Sequence, residues 1–167
     1  LQKVIDQTLV VDIDRLEIHA GEIVALVGPV GSGRDPLLTL LTGKARPTVG
    51  AVRLAGIDPA TDHEAFSRQV GILFAEDGLY MNRTVQSNLW FHGQLRGLPR
   101  RRVEATLAEV GLADHAHTRV DKLPTGLMRR LAFGRTLLHD PHILLLEEPF
   151  ARCDEASITL LSRLILH

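Results

Sequence analysis

A single cysteine, Cys153, occurs in 167 residues, so no disulfide can close within the chain. Such sparing use of cysteine is expected of a reducing compartment. Long apolar runs are missing too. No stretch reaches the ~18 consecutive apolar residues that a membrane-crossing helix requires, and no charged-then-apolar leader opens the sequence. Any membrane role is therefore expected to come through a partner. Neither sign of charge is in excess: 19 Lys and Arg stand against 20 Asp and Glu, for a net charge of −1. A nucleic-acid-binding protein calls for a clearly basic face, and that class is disfavoured. The clusters Arg100–Arg102 and Arg129–Arg130 read as solvated helix faces.

What is present suits a folded α/β domain with a sizeable core: 45% of residues are apolar and 23% charged. The first residue is not methionine and an apolar helical pattern runs to the last residues, so the sequence reads as part of a longer chain. Residues 8–18 alternate through Leu9, Val11 and Ile13, the pattern of a half-exposed strand. Val49–Leu54 and Val70–Phe74 read as short strands, with a helix over 58–69 between them that carries Pro59 in its first turn. Ile143–Leu146 is a continuous apolar run, expected of a strand covered on both faces. The middle of the chain is helical. One helix is predicted from Thr84 to Leu98 with Gly97 as its stop, and another from Pro99 to Gly111 with Val103, Leu107 and Val110 at helical spacing. A third is predicted over 126–138 and a last one from Asp154, stacking Ile158, Leu161 and Ile165. The expected organisation is an α/β core over 1–77 and 136–167 with a helical subdomain over 78–135.

Residues 23–43 carry the sharpest signal. Ile23–Val27 reads as a buried strand, followed by the loop Gly28-Pro-Val-Gly-Ser-Gly-Arg-Asp-Pro36 and a leucine-rich helix. Strand, glycine loop and helix are the layout of a phosphate-binding P-loop, which ordinarily ends Gly-Lys-Ser or Gly-Lys-Thr. Here Gly33 is followed by Arg34, Asp35 and Pro36. A second element, Leu123-Pro-Thr-Gly-Leu127, opens a helix that leads into the apolar strand Ile143–Leu146. That strand ends in the acid pair Glu147-Glu148, an arrangement in which one acid serves a metal and the next activates water.

This order of motifs resembles the ATP-binding-cassette (ABC) family over nearly the whole chain. A P-loop kinase is the nearest rival, but it has no use for 123–149. The resemblance implies an ABC-type P-loop NTPase fold with a helical insert, and ATP with Mg²⁺ as cofactors. It also implies a head-to-tail pair of nucleotide-binding subunits, as homo- or heterodimer, attached to a transmembrane permease subunit at the cytoplasmic face. Residue by residue, it implies phosphate contacts from Gly28, Gly31, Ser32, Gly33 and Arg34, the last standing for the family's lysine. Asp35 stands for the magnesium-binding hydroxyl, and Pro36 for a residue whose N–H donates to phosphate, which proline lacks. Ile5 lies near the aromatic that stacks on adenine. Glu76 stands at the Q-loop glutamine, Glu147 at the first Walker B acid and Glu148 at the general base. In the signature, Thr125 and Gly126 are kept while Pro124 replaces a serine; Asp154 is the D-loop aspartate. The sequence stops before the position of the switch histidine.

Two readings of the altered loop stand side by side. In the first, Asp35 caps the helix, Pro36 is its first residue, and the Asp35 carboxylate accepts the N–H of Leu37 or Leu38. It would then occupy the phosphate's place, and like charges 4 Å apart at a partly buried site cost on the order of 4 kcal/mol. Arg34 would offset part of this by pairing with Asp35. In the second, Asp35, Glu76 and Glu147 hold a divalent ion without nucleotide, against simple repulsion relieved by solvent. Two function classes follow from the resemblance: an ATP-coupled transporter subunit, or a catalytically silent subunit with a structural or regulatory role. Tyr80, Trp90 and Phe91 are read as core or as part of a docking groove for the membrane partner. His115 and His117 read as a surface turn, and His139 and His142 as caps of helix and strand.

Overall fold

Gln2–Ile5 (β1) and Thr8–Asp12 (β2) pair antiparallel in the computed structural model, which describes residues 1–166. The turn between them, Asp6-Gln7, holds both residues at positive φ (47° and 63°), the backbone twist that a two-residue hairpin favours. The N-terminal amine donates to Ile13 O at 2.6 Å and Gln2 N to Val49 O at 2.8 Å. The alternating pattern therefore gives a strand, but one that stops at Asp12 rather than continuing to residue 18.

This hairpin belongs to a first compact unit, Leu1–Gln69; a second begins at Val70. The first unit also holds α1 (Arg34–Leu41) and α2 (His63–Gln69). The expected helix over 58–69 is shorter because Asp58 builds a turn instead, its carboxylate accepting Ala60 N at 2.9 Å. Asp62 then starts the helix by accepting Ala65 N at 3.1 Å. Two expected strands are corrected. Ile23–Val27 joins no ladder and is exposed, Val27 at 93%. Val49–Leu54 forms only the single bridges Gln2↔Val49 and Leu54↔Ile57. Apolar pattern supplies the faces of a strand, but its N–H and C=O groups need a neighbour along the edge. Within this unit β1 reaches the second segment only at Gln2–Val49, and the β1–β2 ladder does not extend to Ile23–Val27.

In the second unit β3 (Val70–Leu73) and β4 (Ile143–Leu146) lie parallel, Val70 opposite Ile143 and Leu73 opposite Leu146. Parallel neighbours need a long crossover, and here it carries α3 (Val85–Leu95), α4 (Arg100–Glu109) and α5 (Thr125–Leu137). The last helix, α6 (Glu155–Leu166), follows β4. Start signals are local. Thr84 caps α3 by accepting Ser87 N at 3.2 Å, Pro99 is the N-cap of α4 and Pro124 that of α5.

The core of this unit is where the sequence put it. Leu89, Val103, Val110 and Leu131 are fully buried in one cluster, against which Trp90 and Leu127 pack. A second cluster joins Leu73 and Phe133 to Leu161 of α6. Full burial of each large aliphatic group contributes about 2 kcal/mol, so these faces fix how α3, α4 and α5 lie against each other. Leu95 and Ile158 are exposed, and β4 is half-buried throughout rather than fully covered.

Candidate functional site

The glycine loop is shaped by two left-handed glycines. Gly31 (φ 85°) lies within a turn in which Ser32 N donates to Pro29 O at 3.1 Å. Gly33 (φ 87°) passes so close to β2 that a Cβ there would sit 2.4 Å from Val10 O, so only glycine fits. Gly28 is likewise closed in, a Cβ falling 2.5 Å from Ser32 Oγ.

The helix after the loop corrects the expected cap. Gly33, not Asp35, is the N-cap of α1, and no side chain caps it. Leu37 N donates to Gly33 O at 2.9 Å. Because Gly33 can take its left-handed conformation, the chain enters the helix at Arg34. Asp35 is thereby carried into the first turn, where Arg34 Nε donates to its Oδ1 at 3.3 Å. The Asp35 side chain is 67% exposed. Solvent screens it, and its repulsion of an anion falls well below the partly buried figure of about 4 kcal/mol.

The donors that a triphosphate needs are depleted in this loop. Ser32 N–H is directed to Pro29 O, and Pro36 has none. A helix N-terminus attracts phosphate through free N–H groups and its positive dipole end. Here that end carries a carboxylate and its ion-pair partner. The loop as built does not fit a magnesium triphosphate in the manner the family resemblance implies. Ile5 is exposed and offers an apolar contact only.

In the second unit the acid pair leaves β4 abruptly. Glu147 N continues the ladder to Leu73 O at 2.9 Å, and its Oε2 accepts Ala75 N at 3.1 Å. Glu148 takes φ 44°, a left-handed conformation uncommon for a residue with a side chain, and is exposed. Glu76 is exposed as well. Among the described residues no group of three or more His, Cys, Asp or Glu side chains is placed to hold a metal ion.

The residues that the resemblance assigns to the signature and the D-loop meet. Thr125 Oγ1 donates to Arg152 O at 3.3 Å, and a Cβ on Gly126 would lie 3.1 Å from Ser157 Oγ and 3.4 Å from Asp154 N. Asp154 accepts Ser157 N at 2.7 Å, and Arg130 Nε donates to Ser157 Oγ at 2.7 Å. The Ser157 side-chain and backbone hydrogen bonds hold the Asp154 carboxyl below its ordinary range.

Arg129 corrects the sequence reading most sharply. It was expected on a solvated face, yet it is fully buried. Its guanidinium donates to Phe74 O at 2.8 Å, Glu147 O at 2.6 Å, Glu148 O at 2.7 Å and Pro149 O at 3.3 Å, and pairs with Asp77 Oδ1 at 2.8 Å. The signal was present: Arg129 lies on the helical stripe of Gly126, Phe133 and Thr136, all buried. Arg102 is also engaged, donating to Leu137 O and Leu138 O at 2.9 and 3.0 Å. Tyr80 and Phe91 meet edge to face with centroids 5.2 Å apart. His139 Nε2 is 3.2 Å from Val70 O, touching the start of β3. The segment with His115 is a short 3₁₀ turn, Ala113–His115.

The family model described as ABC transporter matches residues 11–151. The chain is 31% identical over 147 residues to the ABC transporter ATP-binding protein NatA of Bacillus subtilis, covering 85% of this chain and 60% of the relative. It is 37% identical over 146 residues to the sulfate/thiosulfate import ATP-binding protein CysA of Thermosynechococcus vestitus, covering 83% and 42%. It is 32% identical over 153 residues to the spermidine/putrescine import ATP-binding protein PotA of Bacteroides thetaiotaomicron, covering 89% and 33%. The chain thus spans less than two thirds of the length of each of these relatives. A solved ATP-binding subunit of an ABC transporter superposes with a TM-score of 0.87 at 23% identity, over 99% of this chain and 71% of that one. The fold is that of the ABC-type P-loop NTPases, and the chain belongs to the ABC transporter family.

Proposed function

We propose that this chain is the ATP-binding component of an ABC transporter whose own phosphate loop grips triphosphate weakly and supports little or no hydrolysis. It would work through a membrane-embedded permease, at the cytoplasmic face, alongside a second nucleotide-binding subunit. Support for the transporter role comes from the relatives named for sulfate and spermidine import. No described helix is long and apolar enough to cross a membrane. In this reading the helices over 78–135 form the helical subdomain, and Glu148 is the residue set to activate water. Arg34, in the loop of the first unit, would face the phosphates.

The observation that carries the weak-grip part is the Arg34–Asp35 ion pair in the first turn of α1, followed by Pro36. An arginine fork already engaged by its neighbour is a poorer phosphate ligand than a free, point-like ammonium. The same observation favours a second reading, a silent subunit that docks and dimerises without turnover. Steady-state phosphate release separates the two. Slow release from the unmodified chain that disappears in Glu148→Gln supports the ATP-coupled reading. Release seen only after Arg34→Lys, Asp35→Ser and Pro36→Thr are introduced together supports the silent one. Rapid release from the unmodified chain contradicts both.

A further inference from the structure

The buried guanidinium of Arg129 reaches two stretches of chain far apart in sequence. One is the segment 74–77 after β3; the other is 147–149, where β4 ends in the acid pair. We propose that Arg129 is the positioning residue for Glu148: from the helix that opens with Thr125 and Gly126, it holds the Glu147–Pro149 backbone in place. The inference rests on the reading of Glu148 as the group that activates water.

The chemistry of the contact supports the assignment. Three successive carbonyls, of Glu147, Glu148 and Pro149, point at one side chain. Successive carbonyls converge in this way only around a cation or a multiple donor, and a planar fork with five N–H groups suits the task. Glu148 is held at φ 44°. Its carbonyl accepts both Arg129 Nη2 at 2.7 Å and Ala151 N at 2.9 Å, which keeps that backbone conformation in place. The opposite side of the fork is fixed by Asp77, whose side chain is only 14% exposed. The second oxygen of Asp77 accepts Arg152 Nη2 at 3.1 Å, so the D-loop is tied to the same carboxylate. Lysine, with three donors on a narrower head, cannot serve both stretches at once. Glutamine offers two N–H groups and no charge.

The direct test compares Arg129→Lys and Arg129→Gln with the unmodified chain by amide hydrogen exchange. The amides of Ala75, Glu147 and Ala151, each hydrogen-bonded within this assembly, are expected to exchange ten-fold faster or more. Amides inside α3 and α4 should keep their rates. Unchanged exchange at those three positions overturns the proposal.

The kinetic arm uses the chain carrying Arg34→Lys, Asp35→Ser and Pro36→Thr. There Arg129→Lys should lower kcat ten-fold or more while KM stays within two-fold; equal kcat overturns the proposal. If that loop-restored chain shows no turnover, the ATP-coupled reading fails, and exchange alone decides the role of Arg129. Should both Arg129 variants fail to fold, Asp77→Asn decides. It keeps the carbonyl contacts and removes the counter-charge. Faster exchange confined to Ala75 and Glu147 upholds the proposal, and no change overturns it.

Discussion

Glu147 turns its carboxylate back onto the chain, where Oε2 accepts the N–H of Ala75 at 3.1 Å. The family resemblance places an aspartate at this position, and the extra methylene of glutamate gives the reach for that bond. Glu147→Asp should lose it and cost about 1 kcal/mol. Glu147→Gln keeps an acceptor oxygen and should cost less. Denaturant unfolding with an unchanged m-value checks the order of the two.

Gly33 and Gly31 share a left-handed backbone but not a neighbourhood. Around Gly31 a Cβ meets nothing within 4 Å, whereas at Gly33 it would strike Val10 O. Gly31→Ala should therefore cost only the conformational strain, about 1 kcal/mol. Gly33→Ala adds a backbone collision and should cost about 3 kcal/mol, shifting β2 against α1. The difference between the two unfolding midpoints is the measurement. Equal midpoints would show that the loop moves freely away from β2.

Acid should destabilise the second unit in two separate windows. Burial, aided by Arg135 and Arg96, holds His92 below its ordinary 6.5. Burial and Arg96 do the same for His139, partly opposed by its hydrogen bond to Val70. The folded form therefore binds fewer protons than the unfolded one once the pH drops below about 6.5. Stability is full above that value and is lost as the pH falls towards the folded pKa values. Asp154, held below its ordinary 3.8 by Ser157, acts in the same direction but in a lower range. Thermal unfolding should show a falling midpoint between pH 7 and pH 5. His92→Gln with His139→Gln should flatten that slope and leave the acid limb below pH 4.

Helix existence and the helical core were legible in the chain because each depends on local pattern. Leu89, Val103 and Leu131 carry their burial in their spacing, and Thr84 announces the start of α3. The strand expected at Ile23–Val27 was not legible in the same sense. Its residues have the right faces, but pairing depends on a neighbouring edge that no local pattern records. Arg129 shows the reverse error. A charged pair beside Met128 looks solvated until the carbonyls of Phe74 and Glu147, distant in sequence, arrive to receive it. At the loop, composition showed that Asp35 and Pro36 alter the phosphate site. Which residue would cap the helix depended on the backbone conformation of Gly33, and that was set by the approach of β2.

The weak grip of the loop on triphosphate is tested most directly by titrating ATP with Mg²⁺ into the unmodified chain in a calorimeter. A parallel titration uses the protein carrying Arg34→Lys, Asp35→Ser and Pro36→Thr. The expected result is no saturable heat from the unmodified chain in the micromolar range, and at least a ten-fold gain in affinity, about 1.4 kcal/mol, in the substituted protein. Micromolar binding by the unmodified chain, unaltered by the three substitutions, would contradict it.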